Sequence, residues 1–483
     1  MAGHTEVERK YETDSTFTLP DLRDVPGLSG VAAPERHTLL ARYYDTADLR
    51  LARRGITLRR RTGGTDDGWH LKLPKAKGER HELSRPATDS MPDDLTELVT
   101  AYTRGRPLVA VAELRTDRTE RAVLAKDGTV AAELADDNVT GFRLDRGGEG
   151  VTSWRELEVE LIDGSPEVLR AIGDHLIGSG ARSSDVPSKL AMVLGDQTAR
   201  TAHPAKARTA VEAMTRYLAA QRDRLLVYDP RVRLADHDDD SVHKMRTSIR
   251  RVRSILRTHR RLLDRGESDS LDAELKWLSD VLGEVRDREV LQARFREQLA
   301  GYSQDEPRWL ADLAADERAA RDRVREALRS PRYLALLDRL DALVTEPLVT
   351  KRAHRPADVQ ERKILTRARR KMVRNYRAAE RLPEGPDRDA ALHKTRKSAK
   401  RLRYTAEAAT PTLGKLAKKI ARRAKELQDV LGAHQDKIVA ARHLAEISPS
   451  SADSYALGAV TAVQNCTDPL EDLPKTWKKA KRR

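Results

Sequence analysis

The chain of 483 residues carries a single cysteine, Cys466, which excludes a disulfide framework and a cysteine-rich zinc site. Aromatic residues amount to only 4 %, so stacking platforms for single-stranded nucleic acid are scarce. There is no helix-turn-helix or zinc-finger signature either, and a specific nucleic-acid ligand is not expected. No apolar run approaches the length of a membrane span, and charged residues begin within the first ten positions. A soluble, cytoplasmic protein is therefore expected. A phosphate-cradling GxxxxGK[ST] loop is missing, and so is any convincing nucleophilic Ser, Cys or His.

Charge is abundant, at 35 % of residues, and unevenly distributed. Residues 1–200 hold 29 Lys and Arg against 34 Asp and Glu, a balance of −5. Residues 201–483 hold 62 against 42, a balance of +20. Such asymmetry predicts different partners for the two halves, with a polyanion for the basic one. The length predicts two to four domains.

The first ~190 residues read mostly as strands, by alternation and β-branched content. Candidates are 5–12, 38–45, 55–62, 68–73, 108–114, 119–125, 129–135, 139–145 and 153–162, with turns at "KDGT" (126–129) and "DRGGEG" (145–150). Helical patterns fall at about 93–104 and 166–178. So many antiparallel strands in one small domain predict a sandwich or a closed barrel. Beyond about residue 206 the pattern turns helical, with breaks at 228–240, 301–307, 345–358 and 383–389. This half repeats itself. "VHKMRTSIRRVRSILR" (242–257) matches "LHKTRKSAKRLRYTAE" (392–407), and "LSDVLGEVRDREV" (278–290) matches "LQDVLGAHQDKIV" (427–439). The offsets are 150 and 149 residues, which predicts a duplicated unit.

In the strand half, "EVERK" sets Glu6, Glu8 and Lys10 on one face. "ITLRRR" sets Arg59 and Arg61 together, "WHLKLP" offers Lys72, and "GERHELSRP" offers Arg80 and Glu82. "RELEVEL" repeats the acidic pair as Glu158 and Glu160, with Glu156 in phase. Carboxylates suit Mg²⁺ or Mn²⁺, and Arg and Lys suit phosphate oxygens. The set can thus bind a metal-bound polyphosphate, although any one alternating strand could simply be a wet face.

"EVERK" resembles the ExExK signature of the CYTH family, the triphosphate tunnel metalloenzymes. "YYDTADLRLARRGITLRRR" (43–61), "WHLKLP", "ELEVEL" and "PSKLAM" follow in the family's order, over about residues 3–195. The resemblance implies an eight-stranded antiparallel tunnel that binds triphosphate with divalent metal. It implies Glu6, Glu8, Glu158 and Glu160 as metal-associated acids, with a further tunnel acid at Asp136 or, by preference, Asp137. Lys10, Arg59, Arg61, Lys72 and Lys189 match the phosphate-binding set, and Arg118 is preferred over Arg115 for its remaining member. Glu6, Glu8, Lys10, Lys72, Glu158 and Glu160 are the implied catalytic group. Adenylate cyclase and thiamine triphosphatase activities also occur in this family, and no base or thiazole contact can be assigned from the sequence.

In the helical half His243, Arg246, Arg250, Arg253 and Arg257 share one stripe beside the apolar stripe of Met245, Ile249, Val252 and Leu256. His393, Arg396, Lys400 and Arg403 repeat the stripe, with Lys244 and Lys394 beside the histidines. Like charges at i, i+4 cost about 0.2–0.5 kcal/mol per pair, so two copies that keep them point to an anionic partner. The repeats resemble the CHAD family, over about residues 206–480. That resemblance implies two pseudo-symmetric four-helix bundles with a basic cleft or pore for inorganic polyphosphate. Asp287 and Asp436 are expected to orient basic side chains or cap helices. The basic "KTWKKAKRR" end reads as an extension of this surface or as a flexible tail.

The expectation is an α+β chain: an antiparallel β-barrel tunnel (1–195), a linker (196–207) and an all-α region (208–480) with repeats at about 208–345 and 358–480. The expected activity is metal-dependent hydrolysis of inorganic triphosphate, with polyphosphate bound by the helices. The rival reading is a non-catalytic polyphosphate scaffold, associated with polyphosphate granules.

Overall fold

The computed structural model describes residues 3–64, 66–76, 79–144, 150–198, 207–234, 240–300, 306–447, 453–466 and 469–481. The expected turn at 145–150 and most of the 196–207 linker lie outside them. The chain divides into two compact units, residues 1–202 and 203–483.

The first unit is built on β1 (Gly3–Thr13), β2 (Leu28–Val31), β3 (Glu35–Asp45), β4 (Thr57–Thr62), β5 (Gly68–Ala76), β6 (Glu79–Arg85), β7 (Val109–Ala125), β8 (Val130–Arg143), β9 (Val151–Leu161) and β10 (Arg182–Ser183). Its helices are α1 (Asp93–Thr103), α2 (Pro166–Gly178) and α3 (Lys189–Leu194). The strand order β1-β6-β5-β4-β3-β7-β8-β9 closes through antiparallel pairing of β9 with β1, giving an eight-stranded antiparallel barrel. Strands β2 and β10 pair outside this ring, with β7 and β1. The expected segments 108–114 and 119–125 form one strand, β7, and 129–135 and 139–145 form one strand, β8. The polar stretches that suggested breaks, "RTDR" and "ADDN", remain paired across β7 and β8. At the β7–β8 turn the Asp127 carboxylate accepts from the Thr129 N–H (3.0 Å) and hydroxyl (2.7 Å).

The barrel turns its apolar face outward. Leu134, Leu157 and Val159 pack with Leu169, Ile172 and Leu176 of α2 in one buried cluster. Leu114 and Val139, in phase with Arg118 and Asp137, instead face inward and pack with Leu190, Val193 and Leu194 of α3. Because side chains alternate, the residues between the outward ones point into the lumen. Glu158 and Glu160 flank outward Val159 in this way. Between β3 and β4, buried Asp45 accepts from the N–H groups of Thr46 (2.6 Å), Leu51 (2.9 Å) and Ala52 (2.8 Å). These bonds fix the connection that delivers Arg59 and Arg61 to β4.

The second unit contains α4 (Ala210–Leu234), α5 (Ser241–Thr258), α6 (Arg265–Leu299), α7 (Arg308–Arg329), α8 (Pro331–Thr345), α9 (Ala357–Glu380), α10 (Pro386–Leu413), α11 (Lys415–Glu446), α12 (Ser454–Cys466) and α13 (Leu473–Ala480). The expected break at 228–240 is displaced: α4 runs through Pro230 to Leu234. Proline there removes one backbone donor. The turn is held instead by a buried network in which Arg233 Nε donates to Asp229 (2.7 Å) and the Tyr333 hydroxyl donates to the same carboxylate (2.7 Å). Helices α9, α10, α11 and α13 share one core, including Leu365, Leu402, Leu427 and Trp477. The "KTWKKAKRR" stretch is therefore no loose tail through Ala480. Trp477 is buried and stacks on Tyr376 with ring centroids 3.8 Å apart.

Candidate functional site

The lumen of the barrel is a cavity of about 250 Å³ lined by Glu6, Glu8, Lys10, Arg59, Arg61, Lys72, Arg80, Glu82, Arg118, Glu158, Glu160 and Lys189. Strand register puts opposite charges face to face. Lys10 lies opposite Glu158 across β1–β9, Lys72 opposite Glu82 across β5–β6, and Arg118 opposite Asp137 across β7–β8.

One group centres on Glu158. It accepts from Lys10 and from Arg118 Nη2 (3.0 Å), and the Lys189 ammonium lies 2.8 Å away. Burial would raise this carboxyl, but Lys10, Lys189 and Arg118 hold it well below the usual range. Asp137 is fully buried behind them, takes a bidentate bond from Arg118 (2.8 Å each) and lies 2.9 Å from Lys189. Its neighbour Asp136 instead pairs with Arg155 (2.9 Å). Arg115 is exposed beside Asp117 (3.9 Å). Asp137, Glu156 and Glu158 bring carboxylate oxygens within 4.8 Å of one another, a grouping that can hold a metal. The Lys189 ammonium already sits among all three acids, at 2.6–2.9 Å.

The other group centres on Glu6, Glu8 and Glu160. Lys72 donates to Glu6 (2.6 Å) and lies 3.2 Å from Glu82. Buried His70 faces Glu82 at 3.0 Å. Burial, then Glu6 and Glu8, push the Glu160 carboxyl up to about 8, against the pull of Lys72. Burial and Glu120 likewise raise Glu133. Negative charge here exceeds its cationic partners. Among the described residues that line this cavity, two buried side-chain atoms have no hydrogen-bond partner: Glu6 Oε2, an acceptor, and Arg59 Nε, a donor. Arg59 Nη1 donates to the Tyr43 hydroxyl (3.3 Å), while Arg61 is tied to Asp66 and Arg80 to the Pro187 carbonyl. Sequence reading missed Glu120 and Glu133. Both are in phase with their neighbours, Glu120 with Arg118 and Glu133 with Asp137, and Glu133 lies opposite Glu160.

In the second unit, α5 and α10 bring Arg246, Arg250, Arg396 and Lys400 into one cationic group. Burial, then Arg250, Arg396 and Arg246, push the Lys400 ammonium down to about 7, with Asp436 opposing. His243 is lowered by burial, Arg286 and Arg250, and His393 by burial and Lys397. The repeated "DVLG" glycines explain themselves here. A Cβ on Gly283 would lie 3.0 Å from Arg246 Nη2, and one on Gly432 would lie 3.3 Å from Arg396 Nη2. Each guanidinium lies across a bare helix backbone. Asp287 steadies Arg246 (3.1 Å). The rest of the predicted stripe diverges. Arg253 and Arg257 both bind Asp272 (3.0 and 2.7 Å), and Arg403 binds Glu407 (2.8 Å). Lys244 lies over the Tyr228 ring at 5.7 Å, and Lys394 is exposed.

A charged, closed tunnel followed by a duplicated basic helical region is the architecture of two known domain families. Residues 4–182 match the model of the CYTH domain, and residues 216–445 match that of the CHAD domain. The chain belongs to the CYTH–CHAD proteins, a CYTH triphosphate tunnel fold followed by a CHAD domain. It is 34 % identical to the uncharacterized protein Rv2226 of Mycobacterium tuberculosis, over 100 % of this chain and 98 % of that one. Among solved structures, it is similar to the CHAD domain of the plant Ricinus communis (25 % identity, 58 % of this chain and 96 % of that one, TM-score 0.47). It is also similar to PptA from Streptomyces chartreusis (23 % identity, 57 % and 99 %, TM-score 0.45). No helix among the described residues is long and apolar enough to cross a membrane.

Proposed function

We propose that the tunnel hydrolyses inorganic triphosphate with Mg²⁺ or Mn²⁺ and that the helical unit binds inorganic polyphosphate. The observation that carries this reading is a pair of unmet demands in one cavity: a buried guanidinium donor, Arg59 Nε, and a buried carboxylate acceptor, Glu6 Oε2. A ligand that is both anion and cation answers both, and a metal-bound phosphate chain is such a ligand.

The residues fit a hard divalent cation. Glu6, Glu8 and Glu160 offer oxygen donors in a place short of positive charge, where Glu160 is raised to about 8. Glu158 and Asp137 are already compensated by Lys10, Lys189 and Arg118, so their part is first to hold those cations in position. A divalent cation bound at Glu6, Glu8 and Glu160 supplies charge neutralisation and activation of water. The chain's own side chains do the rest. Arg59, Arg61, Lys72, Lys10, Arg118 and Lys189 bind phosphate oxygens and stabilise charge on the transferred and leaving phosphoryl groups. The carboxylates that hold these cations without ligand keep them aimed into the lumen, so little reorganisation is needed when phosphate replaces carboxylate as the partner.

The test is phosphate release from tripolyphosphate, ATP and pyrophosphate, with Mg²⁺, with Mn²⁺ and with EDTA. Metal-dependent cleavage of tripolyphosphate is expected. Silence on all three substrates from a folded protein that still binds polyphosphate would favour the scaffold reading.

A further inference from the structure

A second cationic cleft lies at the end of α5, against α9 and α10. A cavity of about 370 Å³ is lined by Arg257, Arg260, Lys371 and Arg401, with Asp269 and Asp272. An adjoining cavity of about 200 Å³ shares the four cations and adds Arg261 and Arg367. Asp272 is already engaged by Arg253 (3.0 Å) and Arg257 (2.7 Å), which leaves exposed Asp269 against the remaining positive charge. Burial, then Arg401, Arg374, Arg257 and Arg260, lower the Lys371 ammonium; burial, then Arg261 and Arg352, lower Arg367. The cluster repels itself.

The duplication shows that this charge is not a requirement of the fold. At the offset of 150 residues, Arg257 corresponds to Glu407 and Arg401 to Arg251. The equivalent place is an ion pair, with Arg251 3.2 Å from Glu407. One end of the α5/α10 crossing is thus neutralised, and the other sets Arg257 near Arg401. Arg260 and Arg261, whose counterparts are Thr410 and Pro411, add to the same end. Among the described residues no aromatic side chain lines either cavity, so bases would find nothing there to stack on.

We propose that this cleft is a second anion site of the helical unit, taking a multivalent phosphate anion of the polyphosphate class separately from the Arg250–Lys400 group. The proposal rests on the reading that the helical unit binds polyphosphate.

The test is amine-reactive labelling of the full-length protein in EDTA, with and without tripolyphosphate, read by mass spectrometry at Lys371 and Lys400. Tripolyphosphate is expected to protect both. Arg260→Ala with Arg367→Ala, both exposed, is expected to abolish protection of Lys371 and leave that of Lys400. Arg250→Ala with Arg396→Ala is expected to do the reverse. Protection of Lys400 without Lys371 in the wild type would overturn the second site alone. Loss of Lys371 protection in the Arg250/Arg396 variant would also overturn it, because the two groups would then be one site. Protection of neither lysine would overturn the polyphosphate reading of the helices as well. Equal protection by a single-stranded DNA of matched charge would overturn the assigned ligand class.

Discussion

Lys400 gives the helical unit a proton-linked signature. Burial and three arginines push its ammonium down to about 7. At pH 8 it is therefore about one-tenth protonated in the free protein. A bound polyanion cancels the repulsion of Arg250, Arg396 and Arg246 and returns the lysine toward its ordinary range. Each binding event at pH 8 should then take up as much as about 0.9 proton, falling to about 0.1 at pH 6. Affinity should fall by nearly tenfold per pH unit above pH 8, until Lys400 also titrates in the complex. Without ligand the sign is opposite. The unfolded chain holds more protons between about pH 7 and 10, so stability rises with pH across that window. The assay is calorimetric titration of the full chain with polyphosphate in EDTA, in two buffers of different ionisation enthalpy. Lys400→Arg keeps the charge and should reduce the difference between buffers by the share that Lys400 contributes. No proton uptake at pH 8, or the same uptake in Lys400→Arg, would refute the reasoning.

Three further outcomes follow from the packing. Gly283→Ala presses a methyl group on the far end of Arg246, 3.0 Å away, so stability should change by no more than about 1 kcal/mol while polyphosphate affinity drops; denaturant unfolding and calorimetry separate the two. Gly173→Ala would set its Cβ 2.2 Å from the buried Tyr11 hydroxyl, and overpacking against a ring with no room to retreat should cost about 1–3 kcal/mol in the same unfolding assay. Asp137→Ala leaves Arg118 and Lys189 short of a fully buried partner and should destabilise the barrel by about 3–5 kcal/mol, read as a lowered denaturation midpoint.

The tunnel was legible in the sequence because alternation is local. "EVERK" and "ELEVE" announce their inward faces, and the structure pairs them residue against residue on β1 and β9. Strand continuity was not legible. "RTDR" and "ADDN" look like breaks until Arg118 and Asp137 are seen as one cross-strand pair. The excess of acid around Glu160 was also hidden, because Glu120 and Glu133 arrive from strands distant in sequence. In the helical half the repeat was plain, but a stripe on one helix says nothing of its neighbours. Asp272 captures Arg253 and Arg257, whereas Arg246 and Arg250 meet Lys400 of the other repeat. Pro230 suggested an end to α4 that the Asp229–Arg233–Tyr333 network overrides. Likewise, the lysines of "KTWKKAKRR" drew attention from Leu473, Trp477 and Ala480, whose i, i+4, i+7 spacing marks a docked helix.

The central claim is that one lumen binds triphosphate and cleaves it through the acids of β1. Its most direct measurement is tripolyphosphate turnover with Mn²⁺ or Mg²⁺ in the wild type, Glu6→Gln and Glu8→Gln, each checked for its fold by circular dichroism. The account predicts metal-dependent cleavage by the wild type and its loss in both folded variants. Full activity in both variants would contradict it.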